Sequence, residues 1–254
     1  MKDIIEQNLK TFYLSFSEVN NNITAIRNSS VAGVFTPSYP WPNYMLGLSL
    51  NRPDIQEVVI YINKKIEEGK YPSFIIVRDS RQHPDFLSLM EKYRFRPVVQ
   101  WSGMAAPAQQ NQNELQGQPD DCVVKPVQSE TELNDWLNIA NTALFNQQKL
   151  HPDVFRSLPD RDNYALLLGY ASNEPAGTGL IFRNNNSTGI YLVSVLEKFR
   201  RRGIASVLTN NMINLSSGLP LVLHATSAGK KVYERFHFRE YCTFEVFWKI
   251  GKFV

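Results

Sequence analysis

Between Tyr191 and Ser206 the chain reads YLVSVLEKFRRRGIAS, with three adjacent arginines and a glycine where an apolar strand turns into a helix. Residues of these types at such a turn grip phosphate. The first N–H groups of a helix have no partner inside it, and the macrodipole places about half a positive charge there. Arginine side chains add full charges, and Gly203, lacking a Cβ, lets an anion approach the backbone closely. Arg200, Arg201, Arg202, Gly203, Ile204, Ala205 and Ser206 are therefore the candidate anion site. The remaining local basic excess is Lys198. The pattern marks a site, not a general basic field.

The elements that must hold this turn follow from periodicity. Tyr191, Leu192, Val193 and Val195 form the buried strand before it. Ile204, Val207, Leu208, Met212 and Leu215 give the helix after it one apolar face. Upstream, strands are predicted over 123–127, 164–171 and 177–182, with a helix over 130–147 after the first of them. Asn173-Glu174-Pro175 and Asn184-Asn185-Asn186 supply the hairpin turns. Downstream, Gly218-Leu219-Pro220 stops the helix. A strand over 221–225, a short helix over 229–236 and a last strand over 241–249 complete this half. The order predicts an α/β fold with a mixed sheet, antiparallel early and parallel around the central crossover.

The first half has the same grammar without the basic turn. Helices are predicted over 3–17, 53–68 and 83–93, and strands over 23–26, 31–35, 74–77 and 98–104. The Pro-rich 36–42 must be loop, with Trp41 and Tyr44 beside it as candidate lining of an acceptor cleft. Residues 105–121 are rich in Gln and Asn with almost no large apolar residue, the composition of a linker. Two domains follow, 1–118 and 119–254. An internal echo links them: Met90-Glu91-Lys92-Tyr93-Arg94-Phe95-Arg96 matches Tyr233-Glu234-Arg235-Phe236-His237-Phe238-Arg239, at an offset of 143 (233 − 90). Met90 stands where the second copy has Tyr233.

Composition bounds the rest. The 254 residues are 43% hydrophobic and 20% charged with a net charge of +3, values of a globular chain and too little charge for wholesale nucleic-acid binding. The other lysines and arginines are dispersed, which argues against a continuous basic face. The N-terminus lacks a signal-peptide core, and no apolar run is long enough to span a membrane. Cys122 and Cys242, far apart in apolar surroundings, read as two buried thiols in a reducing compartment, and the cytoplasm is the expected location.

From about residue 122 to the end, the sequence resembles a GNAT-superfamily N-acetyltransferase domain. The resemblance is carried by Val193-Ser194-Val195, by the turn from Arg200 to Ala205, and by the run from Leu223 to Phe238 that holds Tyr233. It implies a mixed-sheet acyl-CoA N-acyltransferase fold, in two tandem GNAT-like halves of which only the second carries the cofactor motif. It implies acetyl-CoA as co-substrate, no metal, and transfer of the acetyl group to a primary amine of a small molecule or peptide. The pantetheine arm would lie between two splayed parallel strands, over 192–195 and 221–225, against the backbone of Val193, Ser194 and Val195. The amides of Arg201 to Ser206 and the arginine side chains would hold the pyrophosphate, with Thr226 and Gly229 completing the cofactor set.

The implied chemistry assigns roles. An alkyl amine, with a pKa of about 10, must lose a proton before attacking a thioester. The resemblance makes the Val195 amide the oxyanion donor and Tyr233 the acid for the departing thiolate. Gly189 to Val195 holds no carboxylate, so the base is left open between Tyr191, His224 and an ordered water chain. The missing carboxylate also motivates a rival reading, a non-catalytic acetyl-CoA sensor of the same fold. His237 stands where relatives have glycine, and a left-handed backbone there costs a side chain about 1–2 kcal/mol. Arg94 holds the echoed position.

Overall fold

A computed structural model describes residues 1–108, 121–147, 149–216 and 218–251. The chain forms two compact units, one of Met1–Gly103 with Glu240–Val254, the other of Met104–Arg239. The first half of the chain supplies α1 (Lys2–Val19), β1 (Thr24–Arg27), β2 (Ala32–Phe35), β3 (Tyr44–Leu46), α2 (Ile55–Glu67), β4 (Phe74–Arg78), α3 (Pro84–Lys92) and β5 (Phe95–Ala106). The second supplies β6 (Cys122–Pro126), α4 (Glu130–Ala140), α5 (Pro152–Phe155), β7 (Tyr164–Ala171), β8 (Glu174–Arg183) and β9 (Thr188–Val195). It ends with α6 (Ile204–Asn214), β10 (Leu221–Ala225), α7 (Ser227–Glu234) and β11 (Arg239–Lys249).

The two halves repeat one order, apart from β6 and α5, which belong to the second alone. A helix leads into three antiparallel strands, β1-β2-β3 or β7-β8-β9; a second helix then crosses over to a strand parallel to the third. That parallel pairing is Met45↔Ile75 between β3 and β4, and Leu221↔Thr188 to Leu223↔Ile190 between β10 and β9. A parallel pair needs a long connection, and α2 and α6 provide it. A further helix and a last strand follow. The junction between those two elements carries the echo: Arg94 and His237 both sit in the left-handed region, at φ 62° and 63°. The expected backbone conformation is therefore present in both copies.

The first unit buries Ile62, Ile66, Ile75, Met90, Phe95 and Phe247 in one core. Trp41 belongs to its interior, packed edge-on against Phe16 of α1 at 4.8 Å and beside Tyr13 at 5.9 Å, while Tyr44 lies 4.9 Å from Tyr13. Apolar burial places these rings in a core, so the expectation that they line an acceptor cleft is corrected. Asn43 holds the loop before β3 by accepting from the Thr36 amide and donating to the Tyr39 carbonyl, both at 2.8 Å. β3 itself, three residues after a proline-rich loop, has no periodicity long enough to predict.

The division of the chain also differs from the expected one. The compact units separate at Gly103 and Met104, and the last strand belongs to the first unit. The reason is pairing: β11 runs antiparallel to β4, from Phe244↔Arg78 to Trp248↔Phe74. Phe247 packs against Phe86 at 6.1 Å, and Lys249 donates to the Tyr93 carbonyl at 2.6 Å. Of the expected linker, Ala105 and Ala106 continue β5, while 109–120, including the boundary at 118, lie outside the described residues. Cys122 and Cys242 are buried free thiols. Among the described residues no helix is long and apolar enough to cross a membrane.

Candidate active site

The second unit's sheet runs β10-β9-β8-β7-β6. α6 can lie tightly on it because β8 is glycine-rich: a Cβ on Gly177 would come within 3.0 Å of the Leu208 side chain, and one on Gly179 within 2.8 Å of the Met212 sulfur. β9 carries a bulge opposite Gly179. Thr178 pairs with Ser194 but Leu180 with Tyr191, so β9 has one residue more than β8 between those pairs. Leu192 takes a positive φ of 50°. Such a bulge turns the strand and strengthens its twist.

Side chains hold the bulge at three groups. The Thr178 hydroxyl donates to the Leu192 carbonyl at 2.9 Å and shares a hydrogen bond with Ser194 Oγ at 2.7 Å. The Trp136 indole N–H of α4 donates to the Gly179 carbonyl at 3.2 Å. Beyond Leu223↔Ile190 the pairing of β10 with β9 stops. A cleft of about 730 Å³ opens in this unit, lined by Val193, Ser194 and Val195 from β9 and by residues of α6 and α7. The expected splay of two parallel strands is present.

The basic turn closes one side. Gly203 caps α6 with φ 82°, and Arg201 is also left-handed at φ 64°. Arg200, Arg201, Gly203, Ile204, Ala205 and Ser206 line the cleft. The five-residue basic run splits by ion pairing. Lys198 binds Glu174 at 2.6 Å, and Arg202 binds Asp121 at 2.9 Å and lies over the Phe199 ring. Arg202 is thus tied away from the cleft it was expected to serve. Arg200 donates from Nε to the Val195 carbonyl at 3.2 Å, which fixes its side chain beside the open strand.

α7 forms another wall. Thr226 caps it by accepting from the Gly229 amide at 3.3 Å, and both residues line the cleft. Tyr233 is 9% exposed, reaches the cleft, and packs edge-on to Phe238. Burial pushes its phenol pKa far above the ordinary value, so the ring carries its proton at any working pH. Tyr191 and His224 do not line the cleft; their rings stack on each other at 6.1 Å and 18°. Desolvation pushes the His224 imidazole down to about 3 and the Tyr191 phenol well up. Both stay neutral, and a base whose conjugate acid has that pKa accepts few protons.

Residues 126–246 match the model of the acetyltransferase (GNAT) domain. This segment is a GNAT domain. No curated protein matches the sequence. The chain is similar to the solved structure of a GCN5-related N-acetyltransferase from Kribbella flavida, with TM-score 0.71 and 12% identity over 98% of this chain and 96% of that one. A functionally unknown conserved protein from Staphylococcus epidermidis gives 0.66 and 16% over 92% and 97%. A tandem GNAT protein from the clavulanic acid biosynthesis pathway gives 0.59 and 8% over 96% and 94%. At these identities the likeness speaks for fold. The fold is the mixed-sheet GNAT fold, and the repeated element order makes it a tandem of two such halves.

Several cleft residues of the GNAT domain escaped the sequence reading. Ala143 and Leu144 come from a π-helical stretch, Asn141–Phe145, where one continuous α-helix was expected. The buried Asn141 amide breaks it, donating to the Leu150 carbonyl and accepting from the Lys149 and Leu150 amides. Lys231, Val232 and Arg235 join from α7. Their signal was available: Ala228, Lys231, Val232 and Arg235 follow the i, i+3, i+4, i+7 spacing of one helix face.

Proposed function

We propose that this chain is an acetyl-CoA-dependent N-acetyltransferase acting on a primary amine of a small molecule or peptide. The observation that carries the reading is the charge of the cleft. Among the described residues, Arg200, Arg201, Lys231 and Arg235 line it, no carboxylate does, and none of the four takes part in an ion pair. A cleft with that excess positive charge, at the start of a helix and along an unpaired strand edge, suits a donor that is polyanionic at one end and amide-bearing along its arm.

Acetyl-CoA, the donor substrate, brings an activated carbonyl. Val193 and Val195 offer backbone groups to the arm in place of a strand neighbour, and the α6 amides with Arg200 and Arg201 hold the diphosphate. The Val195 amide stabilises the oxyanion formed when the amine nitrogen attacks the thioester carbon. As the C–S bond breaks, Tyr233 gives its proton to the sulfur. The proton lost by the amine returns the phenol to its neutral form through water.

A second reading has one observation in its favour: among the described residues, no carboxylate or histidine lines the cleft to take that proton. It makes the protein a non-catalytic acetyl-CoA sensor. Calorimetry with acetyl-CoA, followed by thiol release across a panel of amines, separates the two. Binding with thiol release supports the enzyme; binding without release from any amine supports the sensor; no binding ends both.

A further inference from the structure

The four cations of the cleft fall into two groups on different elements. Arg200 and Arg201 belong to the turn before α6, beside its N-terminal amides. Lys231 and Arg235 stand on α7, one turn apart on one face, which puts them about 6 Å apart along the axis, within reach of a single phosphate. A cation at the end of a helix has a structural use in complementing the dipole, and Arg235 is the C-cap of α7. Lys231, in the last turn of the same helix, shares that use, so what sets the pair apart is its place on the cleft wall. Both side chains are exposed, and neither joins an ion pair among the described residues. A diphosphate held at the α6 turn leaves this second pair without a counter-charge.

We propose that Lys231 and Arg235 form a separate station for the 3′-phosphate of coenzyme A, and that this station makes the protein select the phosphorylated cofactor over its 3′-dephospho form. The inference rests on the acetyl-CoA reading and adds to it a specificity that the α6 turn does not supply. Coenzyme A carries two negative charges on its diphosphate and about two more on the ribose phosphate, which matches two pairs of cations on two elements. Arg201 meets charge common to both ligands; Lys231 and Arg235 meet the charge that only one of them has.

The test is calorimetric titration of coenzyme A and 3′-dephospho-coenzyme A into the full chain at low ionic strength, where exposed charges are least screened. The wild type should bind coenzyme A at least about tenfold more tightly, the size of one charge-assisted contact. Lys231→Ala with Arg235→Ala should erase that ratio by weakening coenzyme A while leaving the dephospho form within about twofold. Arg201→Ala should weaken both ligands alike and keep the ratio. Equal affinities in the wild type, or a double variant that weakens both ligands equally, would overturn the station and leave the acetyl-CoA reading standing. Failure of the wild type to bind either ligand would overturn both. The variants are at exposed positions, and an unchanged melting temperature confirms that each is folded.

Discussion

His224 gives a prediction whose sign and size follow from its surroundings. Its ring stacks on Tyr191 inside the GNAT domain, and desolvation pushes its pKa from 6.5 down to about 3. Below 6.5 the histidine of the unfolded chain takes up a proton, while the folded one stays neutral until about 3. The unfolded state then binds more protons, so stability is full above 6.5 and falls as the pH falls through that window. By pH 5 this one group removes about 2 kcal/mol, and the local slope approaches about 1.4 kcal/mol per pH unit. His224→Phe keeps a ring at the stack and removes the titration.

Urea unfolding of wild type and variant at pH 8 and pH 5 measures the difference directly. The wild type should lose about 2 kcal/mol more than the variant between those pH values. Equal losses, or a proton resonance of His224 titrating near its ordinary value, would refute the reasoning. The same variant bears on chemistry. A neutral imidazole outside the cleft is no proton acceptor, so thiol release should stay within about tenfold of wild type. A fall of a hundredfold in a variant that is still folded would restore His224 as the base.

Three further outcomes follow from the site. Tyr233→Phe removes a proton donor that no hydrogen bond among the described residues ties down, so kcat should fall about a hundredfold or more while donor affinity and melting temperature hold; an unchanged kcat removes the phenol from the mechanism. Thr178→Val deletes both bonds that fix the bulge and leaves the Leu192 carbonyl and Ser194 Oγ short of a partner. It should cost about 1–3 kcal/mol in urea and weaken the donor, and a variant as stable and as tight-binding as wild type would deny the bulge its role. Calorimetry should give one donor per chain; a stoichiometry of two would show that the first half also binds it.

What could be read from the sequence was whatever depends on local pattern. The helix from Ile204, the strand Leu221–Ala225 and the hairpins before them follow from apolar spacing and turn residues, and the left-handed positions at Arg94 and His237 follow from the echo. The basic turn was legible as an anion site because its residue types sit together. Pairing was not legible. The partner of Arg202, Asp121, is distant in sequence, so nothing nearby marked that arginine as neutralised. β11 pairs with β4 across most of the chain, and long-range pairing leaves no trace in periodicity. The bulge at Leu192 was hidden for a related reason: register is a property of two strands, and one strand's sequence looks continuous.

The two halves make the case that topology alone does not confer the chemistry. Each has the crossover helix, the parallel pair and the left-handed junction after its last helix. Their electrostatics at the crossover are opposite. α6 starts at Gly203, with Arg200 and Arg201 outside any ion pair among the described residues, after a strand whose bulge keeps its edge open. α2 starts at Asp54, and the nearby Arg52 is bound to that carboxylate through Nε and Nη2 at 2.6 and 2.7 Å. That aspartate makes no capping bond to the helix amides; its carboxylate neutralises the arginine that would have helped and sets a negative charge beside the helix start. Met90, buried where the second copy has Tyr233, removes the proton donor as well. A single exchange would not restore the site: Asp54→Gly frees the arginine, but β3, three residues long and in unbroken register with β2, has no bulge along which a donor could lie.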